Sequence, residues 1–197
     1  GANLLLSPAE VDAAEALIAD SDVVLSVLEI PVAPAARAAA LARRHGVRMI
    51  FNLVFAQPLD DDFLCNIDIL TSNEGELRVI AGLAPDGPAD GVEIARSLIA
   101  RGVGAVMITR GGDGVTIVAR DAEAVHVPAF PVQPVDTTGA GDSFNSALAV
   151  ALAEGKDLPA AARFAAAAGA FTVTRPGVIP ALPTRAELEA FIEAAQR

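Results

Sequence analysis

Apolar positions along the chain alternate between two periods. Behind Ser7-Pro8-Ala9-Glu10, a capping box with proline at the first helical position, Val11, Ala14, Leu17 and Ile18 recur at helical spacing to about Ala19. Val23 to Leu28 is instead a short continuous apolar run of strand length, ending at Glu29 and stopped by Pro31. A second helix is predicted from about Ala35 to Arg44 and closed by Gly46. Arg43, Arg44 and His45 fall in its last turn, where cations complement the carbonyl end of the helix dipole. Strands are predicted at Val47–Asn52 and Ile67–Leu70. Asn73 can start a helix that runs through Ile80 and is closed by Gly82. Asp90–Ala100 reads as helix and Ala105–Thr109 as strand.

After Thr109 the pattern changes. Gly111-Gly112-Asp113-Gly114 joins one strand to another at Val115–Ala119, a two-strand unit with a glycine-rich turn. Extended pieces follow at Ala124–Val127 and Phe130–Val135. The last third is helical, at about Asp142–Ala153, Pro159–Thr172 and Arg185–Ala195. Strand and helix alternating through the first hundred residues predict an α/β fold. Its expected form is a three-layer α/β/α sandwich on a Rossmann-like, mostly parallel sheet with one mixed edge, within one domain over 1–197.

Composition narrows the function. Hydrophobic residues make up 53% and charged residues 20% of the 197, enough apolar material for a core. The net charge of −11 argues against nucleic acid and against an anionic membrane surface as partners. The longest stretch without a formal charge, Ala124–Val135, is interrupted by Pro128, Pro131 and Pro134 and is too short to span a bilayer. Cys65 is the only cysteine, so a cysteine-based zinc site is excluded and a reducing, cytoplasmic setting is expected. Cys65 reads as packing, His45 as a helix-end cation and His126 as a partly buried strand residue. The alanines of 160–170 read as a close-packed layer.

The chemistry concentrates in Asp136-Thr137-Thr138-Gly139-Ala140-Gly141-Asp142-Ser143-Phe144, where an extended segment feeds a run of very small residues and an apolar helix begins at once. Gly139, Ala140 and Gly141 let backbone N–H groups, backed by the helix dipole, form an anion hole. A carboxylate at its mouth, Asp142, suits a hydroxyl that loses its proton while attacking a phosphoryl group. As a plain local feature, Asp142 would be a helix cap. The string is not a Walker A loop, because no Gly-Lys-Ser/Thr follows the glycines.

Asp136 through Ala149 resembles the C-terminal signature of the ribokinase (PfkB-type) family of ATP-dependent sugar kinases. Glu29 before Pro31, Asn73-Glu74-Gly75-Glu76, Thr109 to Gly114 and Thr174-Arg175-Pro176-Gly177 follow the family order across nearly the whole chain. The resemblance implies a ribokinase-like fold that phosphorylates a sugar primary hydroxyl, D-ribose first, with ATP, Mg2+ and K+. It makes Asp142 the base, touching the substrate, and the amides around Gly139, Ala140 and Gly141 the stabilisers of the transferring phosphoryl. Asn73 and Glu76 would position magnesium and phosphate, partly through water, although the same Asn-x-x-Glu at a helix start is close to a capping box. Thr109, Gly111, Gly112, Asp113 and Gly114, with Gly141, would meet the nucleotide, and Ala166 would lie beside the adenine without a hydrogen bond. Asp136 with carbonyls of Thr138, Thr172, Arg175 and Gly177 would hold a monovalent cation. Glu29 would touch a sugar hydroxyl.

Family members carry a further segment before the point matching Gly1, with the first strands, a small β lid and a sugar-holding Gly-Gly-x-x-x-Asn-type motif. The chain starts without methionine and is expected to be trimmed or an excerpt, lacking those N-terminal strands and the lid. The expected partners are a sugar and ATP, with a homodimer or the missing N-terminal segment besides; loss of the N-terminal strands is expected to bare sheet edge and apolar faces. The alternatives are a non-catalytic nucleotide- or partner-binding remnant and a family kinase for another sugar or nucleoside.

Overall fold

The computed structural model describes residues 1–55, 57–84, 87 and 90–195. The chain divides into two compact units, one of residues 1–109 and 116–124, the other of residues 110–115 and 125–197.

In the first unit, strands β1 (Val23–Val27), β2 (Arg48–Asn52), β3 (Ile69–Asn73), β4 (Ala105–Thr109) and β5 (Val115–Ala119) lie side by side in chain order. The first four are parallel, with register partners such as Val27 and Asn52, Asn52 and Thr71, and Asn73 and Thr109. The 110–114 connection between β4 and β5 is too short for a parallel crossover, so the mostly parallel sheet acquires the mixed edge that the sequence predicts. Helices α1 (Pro8–Ala13) and α2 (Glu15–Ala19) precede β1. They are followed by α3 (Val32–His45), α4 (Asp61–Leu64), α5 (Glu74–Ile80) and α6 (Gly91–Ala100). The core is one apolar cluster in which Met49, Phe51, Leu53, Leu64, Leu70, Leu77, Leu98 and Val106 are fully buried.

Local chemistry explains most boundaries. Ser7 and Glu10 form the reciprocal cap of α1, with Pro8 in the first turn. The expected single helix over 8–19 breaks at Ala14, which closes α1 and starts α2. Glu15 then turns toward α3, where it pairs with Arg44 and lies 2.7 Å from His45 Nε2. α3 ends at Gly46 in the left-handed conformation, as its sequence signal predicts. It starts at Val32, earlier than expected, because Pro34 falls in the first turn, where its missing N–H is harmless. The short α4 escapes the apolar pattern and is announced only by Asp60, whose carboxylate accepts the Phe63 N–H at 2.8 Å.

The second unit holds the short strand β6 (Val125–Val127) and helices α7 (Ala140–Ala153), α8 (Leu158–Thr172) and α9 (Arg185–Ala194). α7 lies along α8. Ala161, Ala162, Ala165, Ala167 and Ala168 are buried, which matches the close-packed alanine layer read from the sequence. A Cβ on Gly169 would lie 3.3 Å from the Ala140 carbonyl, so the small residues let the two backbones approach. Phe130, Phe171 and Phe191 form an aromatic group with centroid distances of 5.5 and 5.8 Å. Residues 130–135 form no strand. Two expectations are corrected: Cys65 is exposed rather than packed, and His126 is exposed rather than partly buried. Cys65 is the C-cap that follows the buried Phe63 and Leu64 of α4, and His126 precedes the buried Val127 on β6, so in each element the neighbouring apolar residues take the buried side.

Candidate active site

In the first unit, Asn73 and Thr109 end β3 and β4, and Glu29 lies two residues past the end of β1. Parallel strands put all three at the same edge of the sheet. The carboxyl ends of the strands are where open α/β sheets bind ligands. Asn73 and Thr109 are register partners, and the Thr109 hydroxyl donates to the Ser72 carbonyl at 3.3 Å. Asn73 Oδ1 accepts the Glu76 N–H at 2.9 Å, and Glu76 Oε2 accepts the Asn73 N–H at 3.0 Å. The capping box is therefore real. It leaves room for a second role, because each carboxylate oxygen carries more than one lone pair. Burial pushes the Glu76 carboxyl above its usual range, against hydrogen bonds from Asn73 that pull it down. Glu29 is exposed and makes no hydrogen bond or ion pair among the described residues.

The glycine loop belongs to the second unit from Arg110 onward. It is a 3-10 turn over Gly111–Asp113 rather than a tight hairpin turn, with the Arg110 N–H donating to the Gly114 carbonyl at 2.8 Å. Gly114 has φ +88, and a Cβ there would lie 2.2 Å from the Val127 carbonyl oxygen. Its glycine is required by the fold. A Cβ on Gly111 or Gly112 would meet nothing within 4 Å, so these two present bare backbone to open space.

The signature string builds the centre of the second unit. Gly139, at φ +79, turns the chain into α7 and provides no side-chain cap. A Cβ on it would lie 2.9 Å from Val178 Cγ1. Helix geometry leaves the amides of the first turn without intrahelical partners, and the first α-helical bond here is Ser143 N–H to the Gly139 carbonyl at 2.9 Å. One expected member of the anion hole is committed elsewhere, since the Ala140 N–H donates to the Thr137 carbonyl at 3.3 Å. Gly141 faces open space. Asp142 is the third residue of α7 and not its cap; it is exposed and has no hydrogen bond or ion pair among the described residues. It borders a cavity of about 270 Å3 whose wall includes Ser146, Val150, Phe164, Leu182 and Arg185.

Behind this turn sits Asp136. Its Oδ1 accepts the Thr138 N–H and its Oδ2 the Gly177 N–H, both at 3.0 Å. These bonds, led by those from Thr138, hold its carboxyl below the usual range. The Val173 carbonyl accepts N–H groups from Val135 at 2.7 Å and Asp136 at 3.2 Å. The Thr172 carbonyl accepts the Arg175 N–H at 3.2 Å. Asp136, Thr138, Thr172, Arg175 and Gly177 thus form one bonded neighbourhood with the start of α7. Ala166 is half-buried on α8. The Val173 carbonyl and the Thr172–Ser143 hydroxyl contact at 2.8 Å escape sequence reading, because backbone carbonyls and buried hydroxyls carry no spacing signal.

Residues 1–185 match the pfkB family carbohydrate kinase model. The chain belongs to the pfkB family. It is 40% identical over 193 residues to a Haemophilus influenzae ribokinase, covering 98% of this chain and 63% of that protein. The crystal structure of a Thermotoga maritima ribokinase superimposes with a TM-score of 0.88 at 35% identity, over 98% of this chain and 63% of that one. An Arabidopsis thaliana ribokinase complexed with ribose and ATP gives a TM-score of 0.87 at 30% identity, over 92% and 59%. The pfkB chain therefore has the ribokinase-like α/β fold and spans about 63% of the length of the first of these relatives.

Proposed function

We propose that this chain carries the nucleotide and phosphoryl-transfer side of an ATP-dependent sugar kinase, with D-ribose as the first-choice substrate. The observation that carries the reading is Asp142, an exposed carboxylate without a partner among the described residues, three residues into a helix whose first turn has no side-chain cap. In this reading Asp142 accepts the proton of the sugar's primary hydroxyl as that oxygen forms its bond to the γ-phosphorus of ATP and the bond from that phosphorus to the bridging oxygen breaks, the oxygen leaving with ADP. The Gly141 amide and its first-turn neighbours lower the energy of the negative charge on the phosphoryl oxygens.

The residues fit the nucleotide, because Gly111, Gly112 and Gly141 leave open backbone where a Cβ would otherwise intrude. Thr109, Asp113 and Gly114 frame the same loop, and Ala166 offers the adenine a packing surface. Among the described residues no group of three or more His, Cys, Asp or Glu could hold a metal ion. Magnesium therefore fits only as an ion shared with phosphate and water, with Asn73 and Glu76 at its outer side; bound, it would neutralise phosphate charge. A potassium ion beside Asp136 and the carbonyls of Thr138, Thr172, Arg175 and Gly177 suits the hard oxygen donors there. Glu29 contacts a sugar hydroxyl, and the setting is cytoplasmic.

The relative complexed with ribose and ATP supports the choice of both substrates. Ribose-dependent release of ADP by the purified chain tests the proposal. Retained ATP binding without any ADP release would instead favour a non-catalytic nucleotide-binding role, and release with another sugar would move the substrate.

A further inference from the structure

The Arg175 side chain sits apart from the atoms the proposed reaction uses, yet it is tied on two sides. Its guanidinium carbon lies 4.2 Å from the centroid of the Phe171 ring. Two of its nitrogens, Nη1 and Nη2, each donate to Glu187 Oε1 at 3.2 Å. The other oxygen of that carboxylate, Oε2, accepts the Thr184 N–H at 2.9 Å and the Thr184 hydroxyl at 2.8 Å, which caps α9. Glu187 therefore divides its two oxygens between a helix cap and Arg175. Phe171 in turn meets Phe191 of α9 edge-on at 5.8 Å. Arg175 thus fastens the turn after α8 to both α8 and α9.

That turn supports the anion hole. From Arg175 the chain runs to Gly177, whose N–H reaches Asp136, and to Val178, whose side chain lies against the Gly139 bend. Gly139 is the residue that aims the first turn of α7. Two short routes lead from Arg175 toward the start of α7: two residues of backbone to the Gly177–Asp136 hydrogen bond, and three residues of backbone to the Val178 side chain beside Gly139.

We propose that the Arg175 side chain is a positioning residue, clamped by Phe171 and Glu187, that fixes the 172–178 turn and thereby the orientation of the amides at the start of α7. The proposal rests on reading that start as the site of the transferred phosphoryl. A planar fork is needed, since a lysine would keep the charge but lose both the ring stacking and the paired donation. The exposed ion pair contributes little to global stability, so its value lies in geometry.

Two readouts on the full chain separate the clamp from the reading it rests on. The first is two-dimensional NMR of the ligand-free chain, following amide shifts and hydrogen exchange. Arg175→Ala should shift the amide resonances of Gly177, Gly139 and Gly141 and speed exchange at Gly177, whose N–H is bonded to Asp136, while mid-helix amides such as Leu148 and Ala165 keep their positions. Glu187→Gln should do the same more weakly, because glutamine still completes the α9 cap. Unchanged Gly177 and Gly139 amides in both variants would overturn the clamp.

The second readout is the preference for ATP over ADP in equilibrium binding, which isolates the terminal phosphate. Arg175→Ala should reduce that preference about tenfold with ADP affinity unchanged, and Arg175→Lys should recover only part of it. An undiminished preference despite shifted amides would overturn the positioning role. No preference in the parent chain would instead overturn the phosphoryl-site reading, while the NMR result would still decide the clamp.

Discussion

The hydroxyls of Thr172 and Ser143 meet at 2.8 Å, joining the last turn of α8 to the first turn of α7, and both side chains are buried. The Thr172 oxygen also lies 2.9 Å from the Ala168 carbonyl. A hydroxyl has one proton, so Thr172 gives its own to the carbonyl and accepts that of Ser143. The residue beside Asp142 is thus tied into the helix pair. Thr172→Val should cost about 1–3 kcal/mol, because it strands a buried hydroxyl. Adding Ser143→Ala should restore most of the loss. Denaturant unfolding of the two single variants and the double variant checks this, and strictly additive losses would refute the pairing.

Asp136 predicts an acid-side effect. Its carboxyl is held low in the folded chain by N–H groups from Thr138 and Gly177. A carboxyl lowered on folding contributes its full stability above the unfolded-state value, and loses it as pH falls through the folded-state value. The Asp136→Asn chain should therefore show a flatter decline of Tm below the ordinary aspartate value of 3.8 than the parent chain. Identical slopes for the two proteins would show that Asp136 is not held in this way.

Glu76 shifts the other way, because burial outweighs its hydrogen bonds. A carboxyl raised on folding gives stability that is complete below the unfolded-state value and lost as pH rises through the folded-state value. At pH 7 the half-buried charge is a liability, and glutamine at the same position can still complete the cap. Glu76→Gln should raise Tm at pH 7 while weakening ATP binding in the presence of magnesium about threefold to tenfold. A lower Tm with unchanged binding would reverse both halves of this reading.

The loop glycines separate into two kinds. Gly114→Ala should cost about 4 kcal/mol or more, since the new methyl would collide with the Val127 carbonyl in a backbone conformation that disfavours side chains. Gly112→Ala meets nothing within 4 Å and should leave Tm within about 1 °C, yet weaken ATP binding by blocking close approach of the phosphates. Thermal melts and equilibrium ATP titration on both variants suffice, and equal melting losses would erase the distinction.

Much of the fold was legible because it depends on period and punctuation. Continuous apolar runs located β1, β2 and β4, while β3 lies later than the expected Ile67–Leu70, at Ile69–Asn73, because its second half, Thr71-Ser72-Asn73, is polar; Ser7, Asn73 and Gly46 marked helix ends that the structure places at the same residues. The break at Ala14 was not legible, because no glycine or proline marks it and the apolar spacing continues through it. At the proposed site, the sequence singled out Asp142 and the small residues before it, and the structure adds that Asp142 is not the helix cap. What it could not announce was support from a distance. Gly177 donates to Asp136 across 41 residues of chain, and Arg175 reaches Glu187 across 12. Such contacts exist only once α7, α8 and α9 have packed.

The most direct test of the account is phosphoryl transfer by the purified chain with ATP, magnesium, potassium and D-ribose, comparing the parent with Asp142→Asn. Ribose-dependent ADP formation should occur in the parent and fall by about 10²–10⁴-fold in the variant, with ATP affinity retained. Turnover that survives the substitution, or none in the parent alongside measurable ATP binding, would contradict it.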